Sequence, residues 1–267
     1  MPDRRWQPTL LIRASLLLHA LALTLVGAAP GLWRWALGAL LANHAWLMLC
    51  GLWPRSQALG ANWNALPAAA AARGEIALTV DDGPDPAVTP QVLDILDRYA
   101  ARATFFCIGE NAAGHPQLCR EIVRRGHAVE NHSQHHCHHF SLLGPAGLRR
   151  ELQAAQDTLS AITGSPPCFF RAPAGLRNPF LDAVLARLGL RLASWSARAF
   201  DTRVGDAGRV SDTLLAGLHA GAIVLMHDGN AARTPQGIPV IVEVLPALLE
   251  RAAADGLRWV TLRQALS

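Results

Sequence analysis

From Gly74 onward the chain alternates short apolar runs with segments of helical period, and this rhythm restricts it to a parallel α/β architecture. The runs lie at 76–80, 103–107, a short piece at 128–129, then 168–170, 190–195, 222–226 and 259–262. Between most of them the apolar residues recur every three or four positions, as in Val92, Leu93, Leu96 and Tyr99, or Leu148, Leu152, Leu159 and Ile162. Parallel strands must be joined by crossovers, usually helices. About seven such repeats predict a (β/α) barrel or a doubly wound sheet. In barrels the chemistry gathers at the C-terminal ends of the strands. The polar residues of interest here fall at those ends.

The first 55 residues follow a different rule. Two apolar stretches, 10–29 and 35–53, each approach the ~20 residues needed to span a bilayer. Pro30 and Gly31 make a tight turn between them, and Trp6, Trp33, Trp35, Trp46 and Trp53 sit near the ends, as interfacial aromatics do. We expect a transmembrane helical hairpin. A signal peptide cleaved after Ala29 would leave the second apolar stretch at the start of the mature chain, and two buried soluble helices would carry more charge. Arg4, Arg5 and Arg13 precede or enter the first stretch, so the positive-inside rule puts the N-terminus in the cytoplasm. A complete hairpin in a bacterial-type inner membrane then returns the body to the cytoplasm rather than the periplasm; a single span would export it. The expected organisation is an anchor at 1–55, a linker at 56–73 and a catalytic domain at 74–267.

Composition excludes several functions. All 24 basic residues are Arg, so neither a Schiff-base lysine nor a phosphate-loop lysine exists. The Arg residues are scattered, and no basic run reads as a nucleic-acid face. The five Cys form no CxxC pair, which removes a zinc ribbon and a thioredoxin motif and reads most simply as free thiols.

Five segments carry chemistry. Asp81 and Asp82 end a strand before Gly83-Pro84, where one carboxylate can hold a metal and its neighbour act as a base; the same acidic turn could merely cap a helix starting near Thr89. Five His crowd into 132–139, and neutral imidazole is a common metal ligand. Spacing alone leaves the pairs 132/135, 132/136 and 135/139 open. Arg171, just past a strand, could orient a carboxylate by paired hydrogen bonds. Asp201 could pair with Arg171 or cap the following helix. His227 closes another strand and becomes a candidate general acid if a metal lies at the same face.

In this order the segments resemble the NodB homology domain of the polysaccharide deacetylases, carbohydrate esterase family 4, over about 74–267. The resemblance implies a distorted (β/α) barrel and a metal-dependent hydrolase that removes an N-acetyl or similar N-acyl group from an amino sugar. Thr79 to Pro84 resembles the first motif, with Val80 in place of Phe, and implies Asp81 as base and Asp82 as metal ligand. His132-Ser133-Gln134-His135-His136 resembles H-[ST]-x-x-H and selects His132 and His136 as the other ligands of a divalent ion, Zn²⁺ first, with Co²⁺ or Mn²⁺ as alternatives. Arg171 and Pro173 match the third motif, although Ala174 stands where the family has an aromatic; its backbone N–H would serve the oxyanion. Leu225 and His227 match the fifth motif and imply an acetyl pocket and the acid for the leaving amine. The fourth motif departs from the family: Arg198 and Thr202 replace an Asp and a Trp, and Asp201 alone remains. An N-acylated carbohydrate is the implied substrate. The apolar hairpin adds a deacetylase or deformylase of a lipid-linked sugar at the membrane face as an alternative. The departures at Ala174, Arg198 and Thr202 motivate a second one, a non-catalytic carbohydrate-binding or assembly protein; a membrane scaffold is the third.

Overall fold

The computed structural model describes residues 6–267; Arg4 and Arg5 lie outside them. Helices α1 (Leu10–Ala28) and α2 (Trp33–Leu52) form an antiparallel pair joined by a short turn at Pro30–Leu32. Thr9 caps α1, its side chain accepting from the Ile12 N–H. Both helices are long and apolar enough to cross a membrane, and little of either is buried. At 1.5 Å per residue they measure about 28–30 Å, the thickness of a bilayer's hydrocarbon core.

The body contains β1 (Glu75–Asp81), β2 (Ala103–Cys107), β3 (Ala128–Asn131), β4 (Phe169–Phe170), β5 (Arg191–Leu192), β6 (Ala197–Arg198), β7 (Ile223–His227) and β8 (Arg258–Trp259). Seven of them pair in the order β5-β4-β3-β2-β1-β7-β6, all parallel, forming an incomplete barrel; β8 pairs with the start of β1. The connecting helices are α4 (Thr89–Arg98), α5 (Gly109–Gly114), α6 (Pro116–Arg124), α7 (Pro145–Thr163), α8 (Leu181–Arg187), α9 (Ala207–Ala216) and α10 (Val240–Ala254), with α3 (Ala68–Ala72) preceding the sheet. The predicted (β/α) barrel of about seven strands is the fold observed. The two-residue β6 was not predicted.

Strand alternation sorts the side chains. On β1, Ile76, Leu78 and Val80 pack outward in the main core with Val92, Leu96, Val244 and Leu248 of the helices. Ala77 joins an inner cluster with Phe106, Phe169, Ile223 and Leu225. Asp81 shares the inner face of β1 with Ala77 and Thr79, and His227 shares that of β7 with Ile223 and Leu225. The β1–β7 register pairs Asp81 with His227.

Residues 56–73 are bound closely to the body. Trp63 bridges to Ala193 beside β5, its N–H donating to Leu192 O and its carbonyl accepting from Ser194 N. Leu59, Leu66 and Ala70 are buried. The open end of the hairpin is fixed to the same segment: Thr9 Oγ1 donates to Ala58 O at 2.7 Å, and Ile12, Leu47, Cys50 and Leu59 form a small core.

Candidate active site

Three donors converge at the C-terminal ends of β1 and β3. Asp82 Oδ1 lies 3.2 Å from His132 Nε2 and 3.3 Å from His136 Nε2. Four donors at about 2.0–2.1 Å around Zn²⁺ in a tetrahedron stand about 3.3 Å apart, so the spacing suits one small divalent ion. His132 Nδ1 is 2.8 Å from the Arg171 carbonyl, which fixes the proton there and leaves Nε2 free as a ligand. With the imidazoles protonated instead, burial pushes the Asp82 carboxyl up, but the hydrogen bond from His132 and the nearby charges of His132, His227 and His136 hold it well below the usual carboxylate range.

Backbone geometry builds this cluster. Asp82, Ser133 and His136 all adopt positive φ, at 73°, 66° and 49°, conformations that cost energy away from glycine. Ser133 Oγ accepts the His136 N–H, and Asn131 Oδ1 accepts the Ser133 N–H. Asn131 is itself fixed by donating to Leu152 O and Gln156 Oε1 on α7. On the other side Asn111 donates to the Asp82 carbonyl and Asn230 to Asp82 Oδ2. Asn131 opens the His-rich segment itself, directly before His132, while Asn111 and Asn230 carry no signal of their own in the sequence.

Asp81 sits beside the cluster with a different set of partners. Its Oδ1 accepts from Arg171 Nη1 at 2.7 Å, and its Oδ2 lies 3.9 Å from His132 Nε2. Arg171 is fully buried. It also donates to Thr79 Oγ1, Ala193 O and Ser194 O, and its guanidinium lies 4.2 Å over the Phe106 ring. A buried guanidinium tied to so many acceptors is a rigid clamp. Neither Asp81 nor Asp82 caps α4, whose N-cap residue Val88 has no side-chain cap; Asp85 accepts from Ala87 N and Val88 N in the turn before it.

Asp201 pairs with His227, not with Arg171. Oδ1 lies 2.8 Å from His227 Nδ1, and Oδ2 accepts the His227 N–H. The cap of α9 is Asp206. Burial opposes protonation of His227, yet Asp201 and the charges of Asp81 and Asp82 raise its pKa overall. Pro173 and Leu225 are buried near these groups, while Ala174 is exposed at φ 53°. Arg198 lies between the rings of Trp195 and Phe200, at 5.0 and 4.7 Å. His135 turns away to pair with Glu151.

The polysaccharide deacetylase family profile matches residues 69–193. A chitooligosaccharide deacetylase of Bradyrhizobium sp. (strain ANU 289) is 36% identical over 185 residues, 65% of this chain and 84% of the relative. Among solved structures, the Bc1960 peptidoglycan N-acetylglucosamine deacetylase superposes with a TM-score of 0.69 at 26% identity, over 76% of this chain and 92% of the other. A family 4 carbohydrate esterase from Streptomyces lividans, bound to acetate, gives 0.63 at 31% identity, over 70% and 91%.

Proposed function

The chain belongs to the polysaccharide deacetylase family of amide C–N hydrolases, and from that premise we propose that it removes an N-acetyl or similar small N-acyl group from an amino sugar of a polysaccharide or glycolipid. The observation that carries this reading is the pairing of Asp81 with His227 across β1 and β7, next to the Asp82–His132–His136 cluster. Relatives named for chitooligosaccharide and peptidoglycan N-acetylglucosamine support the substrate class.

Asp82, His132 and His136 would hold a divalent ion, Zn²⁺ on the donor set, with Co²⁺ or Mn²⁺ as alternatives. When bound, such an ion supplies Lewis acidity to the acyl carbonyl and to the attacking water. Asp81 is the base. Arg171 occupies its Oδ1, so Oδ2, the oxygen facing His132, is the one that takes the proton from water. The Arg171 guanidinium fixes the rotamer of Asp81. The Ala174 N–H stabilises the developing oxyanion, and Pro173 and Leu225 bound the acyl pocket. His227 acts as the acid. Asp201 holds its Nδ1, so Nε2 is the atom that delivers a proton to the departing amine.

The apolar hairpin anchors the enzyme in a membrane. Arg13 and Arg55 mark its body end and Arg34 alone its turn, so the positive-inside rule places the body on the cytoplasmic side of a bacterial-type inner membrane.

The test is acetate and formate release from N-acylated amino sugars by the full chain in detergent, stripped of metal and then supplied with Zn²⁺. Metal-dependent release that disappears in His132→Ala is the expected result. Metal binding without release from any amino sugar would overturn the hydrolase reading.

A further inference from the structure

The hairpin does not join the body at an arbitrary place. Its last residues pack onto the loop after β4, the loop that starts with Arg171 and carries Pro173 and Ala174. Gly51 O accepts the Arg177 N–H at 3.1 Å. The two backbones are so close that a Cβ on Gly51 would lie 2.1 Å from Arg177 O. Gly175, at φ 74°, is pressed between Pro54 and Trp195. The Arg177 guanidinium donates to Ser56 O. The anchor therefore stands at the rim of the active site.

The rim carries exposed apolar side chains among its polar ones. Outside the hairpin, six large hydrophobic side chains are exposed among the described residues: Tyr99, Val123, Leu142, Phe180, Phe200 and Ile238. Four of these, all but Tyr99 and Val123, lie on loops that follow strand C-termini, so the exposed apolar surface collects on the active-site face. Leu142 is 84% exposed, Phe200 55% and Phe180 51%. They are linked to the hairpin through short contacts. Asn178, two residues before Phe180, donates to Ser141 O and Leu143 O on either side of Leu142, and Arg177 beside it meets Gly51. Phe200 stacks on Arg198, which stacks on Trp195, which touches Gly175 next to Pro54. Phe200 keeps its exposed place at a positive φ of 55°, a conformation that costs free energy for a bulky residue. Trp6 and Trp53 are exposed at the same end of the hairpin, where interfacial aromatics mark the headgroup level. Exposed apolar side chains gathered on one face mark an interaction site, and these lie on the loops joined to the foot of helices of bilayer length.

We infer that the mouth of the active site faces the bilayer, with Leu142, Phe180 and Phe200 seated among the lipid headgroups, and that the substrate is an N-acylated amino sugar carried on a lipid. This rests on the hydrolase reading and narrows its substrate. A polymer must run past the mouth in both directions, and an apposed membrane obstructs that path. A sugar on a lipid enters from the membrane plane, and sharing the membrane raises its effective concentration.

The experiment uses the full chain in phosphatidylethanolamine–phosphatidylglycerol vesicles. A photoreactive phenylalanine analogue is placed at Phe180, at Leu142 or, as the control on the far face, at Tyr99. Cross-linking to lipid is expected at 180 and 142 and not at 99; equal labelling at all three, or none at 180 and 142, overturns the membrane-facing mouth. In parallel, acetate release is measured from a polyprenyl-diphosphate-linked N-acetylglucosamine in the vesicles and from soluble tri-N-acetylchitotriose. The Leu142→Ser/Phe180→Ser variant should lose roughly tenfold on the lipid-linked probe, since it loses interfacial apolar contact, and keep its rate on the soluble one. Turnover of the soluble probe alone overturns the lipid-linked substrate. If neither probe turns over, the hydrolase reading fails while the cross-links still decide which face meets the membrane.

Discussion

Asp201 grips His227 at two points, accepting its backbone N–H at 2.7 Å and facing its ring Nδ1 at 2.8 Å. One carboxylate thereby sets both the position and the protonation of the imidazole. The raised pKa means that His227 holds its proton below that pKa and loses it as pH climbs through it. As the acid, it supports turnover on the acidic side of that point. Asp201→Asn removes the anion, so the alkaline fall of kcat should move to lower pH, and kcat at neutral pH should drop by roughly a hundredfold. A pH–rate profile with an unmoved alkaline limb would remove His227 from the acid role.

Asp81→Asn should nearly abolish turnover, by roughly 10²–10⁴-fold, while metal still binds, because the carboxylate of the proposed ligand cluster is Asp82. Arg171 keeps Thr79, Ala193 and Ser194 as acceptors in that variant. Calorimetric titration of the stripped protein with Zn²⁺ separates the two effects. Wild-type turnover would sink the assignment of Asp81 as base.

Metal should also stabilise the fold. Asp82, His132 and His136 come from two different loops, and an ion joining them binds the native state alone. At free Zn²⁺ one hundred times its Kd the gain is about 2.7 kcal/mol, seen as a rise in Tm that a chelator reverses. His136→Ala should abolish most of that rise, and an undiminished response would place the ion elsewhere.

A separate acid sensitivity belongs to His127, away from the cluster. Burial lowers its pKa from 6.5 to about 4, and its Nδ1 accepts the Ala103 N–H, a role open only to the neutral ring. Between these values the unfolded chain binds the proton and the native state does not, so stability rises with pH there. The contribution is complete above 6.5 and is lost as pH falls towards 4, up to about 3 kcal/mol. Denaturant melts of His127→Gln should show a flatter dependence between pH 4 and 6.5. A slope equal to wild type would assign the acid sensitivity to other groups.

Much of this arrangement could be read in the sequence because the alternation on β1 and β7 leaves polar residues where apolar ones are the rule. Asp81 and His227 each follow an apolar run, so strand ends and chemistry coincided. The ligand pair was different: spacing left three His pairs open, and only the family motif chose among them. Residues 56–73 have no period because they are held by single contacts, such as the Trp63 bridge to Ala193, rather than by a regular face. β6 is two residues of unremarkable composition that owe their strand geometry to β7. Asp201 was noticed, but its partner was not, since the choice between Arg171 and His227 depends on how β6 and β7 lie side by side. Asn111 supports Asp82 from α5, which carries no motif, and Asn230 from just beyond the His227 motif, where no spacing marks it.

The contact between Gly51 and Arg177 has no slack: one backbone rests directly on the other, with no tether between. An enzyme on a flexible leash samples many heights above its membrane. With the hairpin in a bilayer, as inferred above, this contact would set the body at a single height, and hairpin and Arg171 loop would act as a gauge. On that inference the scissile amide would have to stand at one fixed elevation above the lipid. Lengthening the spacer between lipid and amino sugar, one saccharide at a time, should therefore give a sharp optimum rather than a plateau.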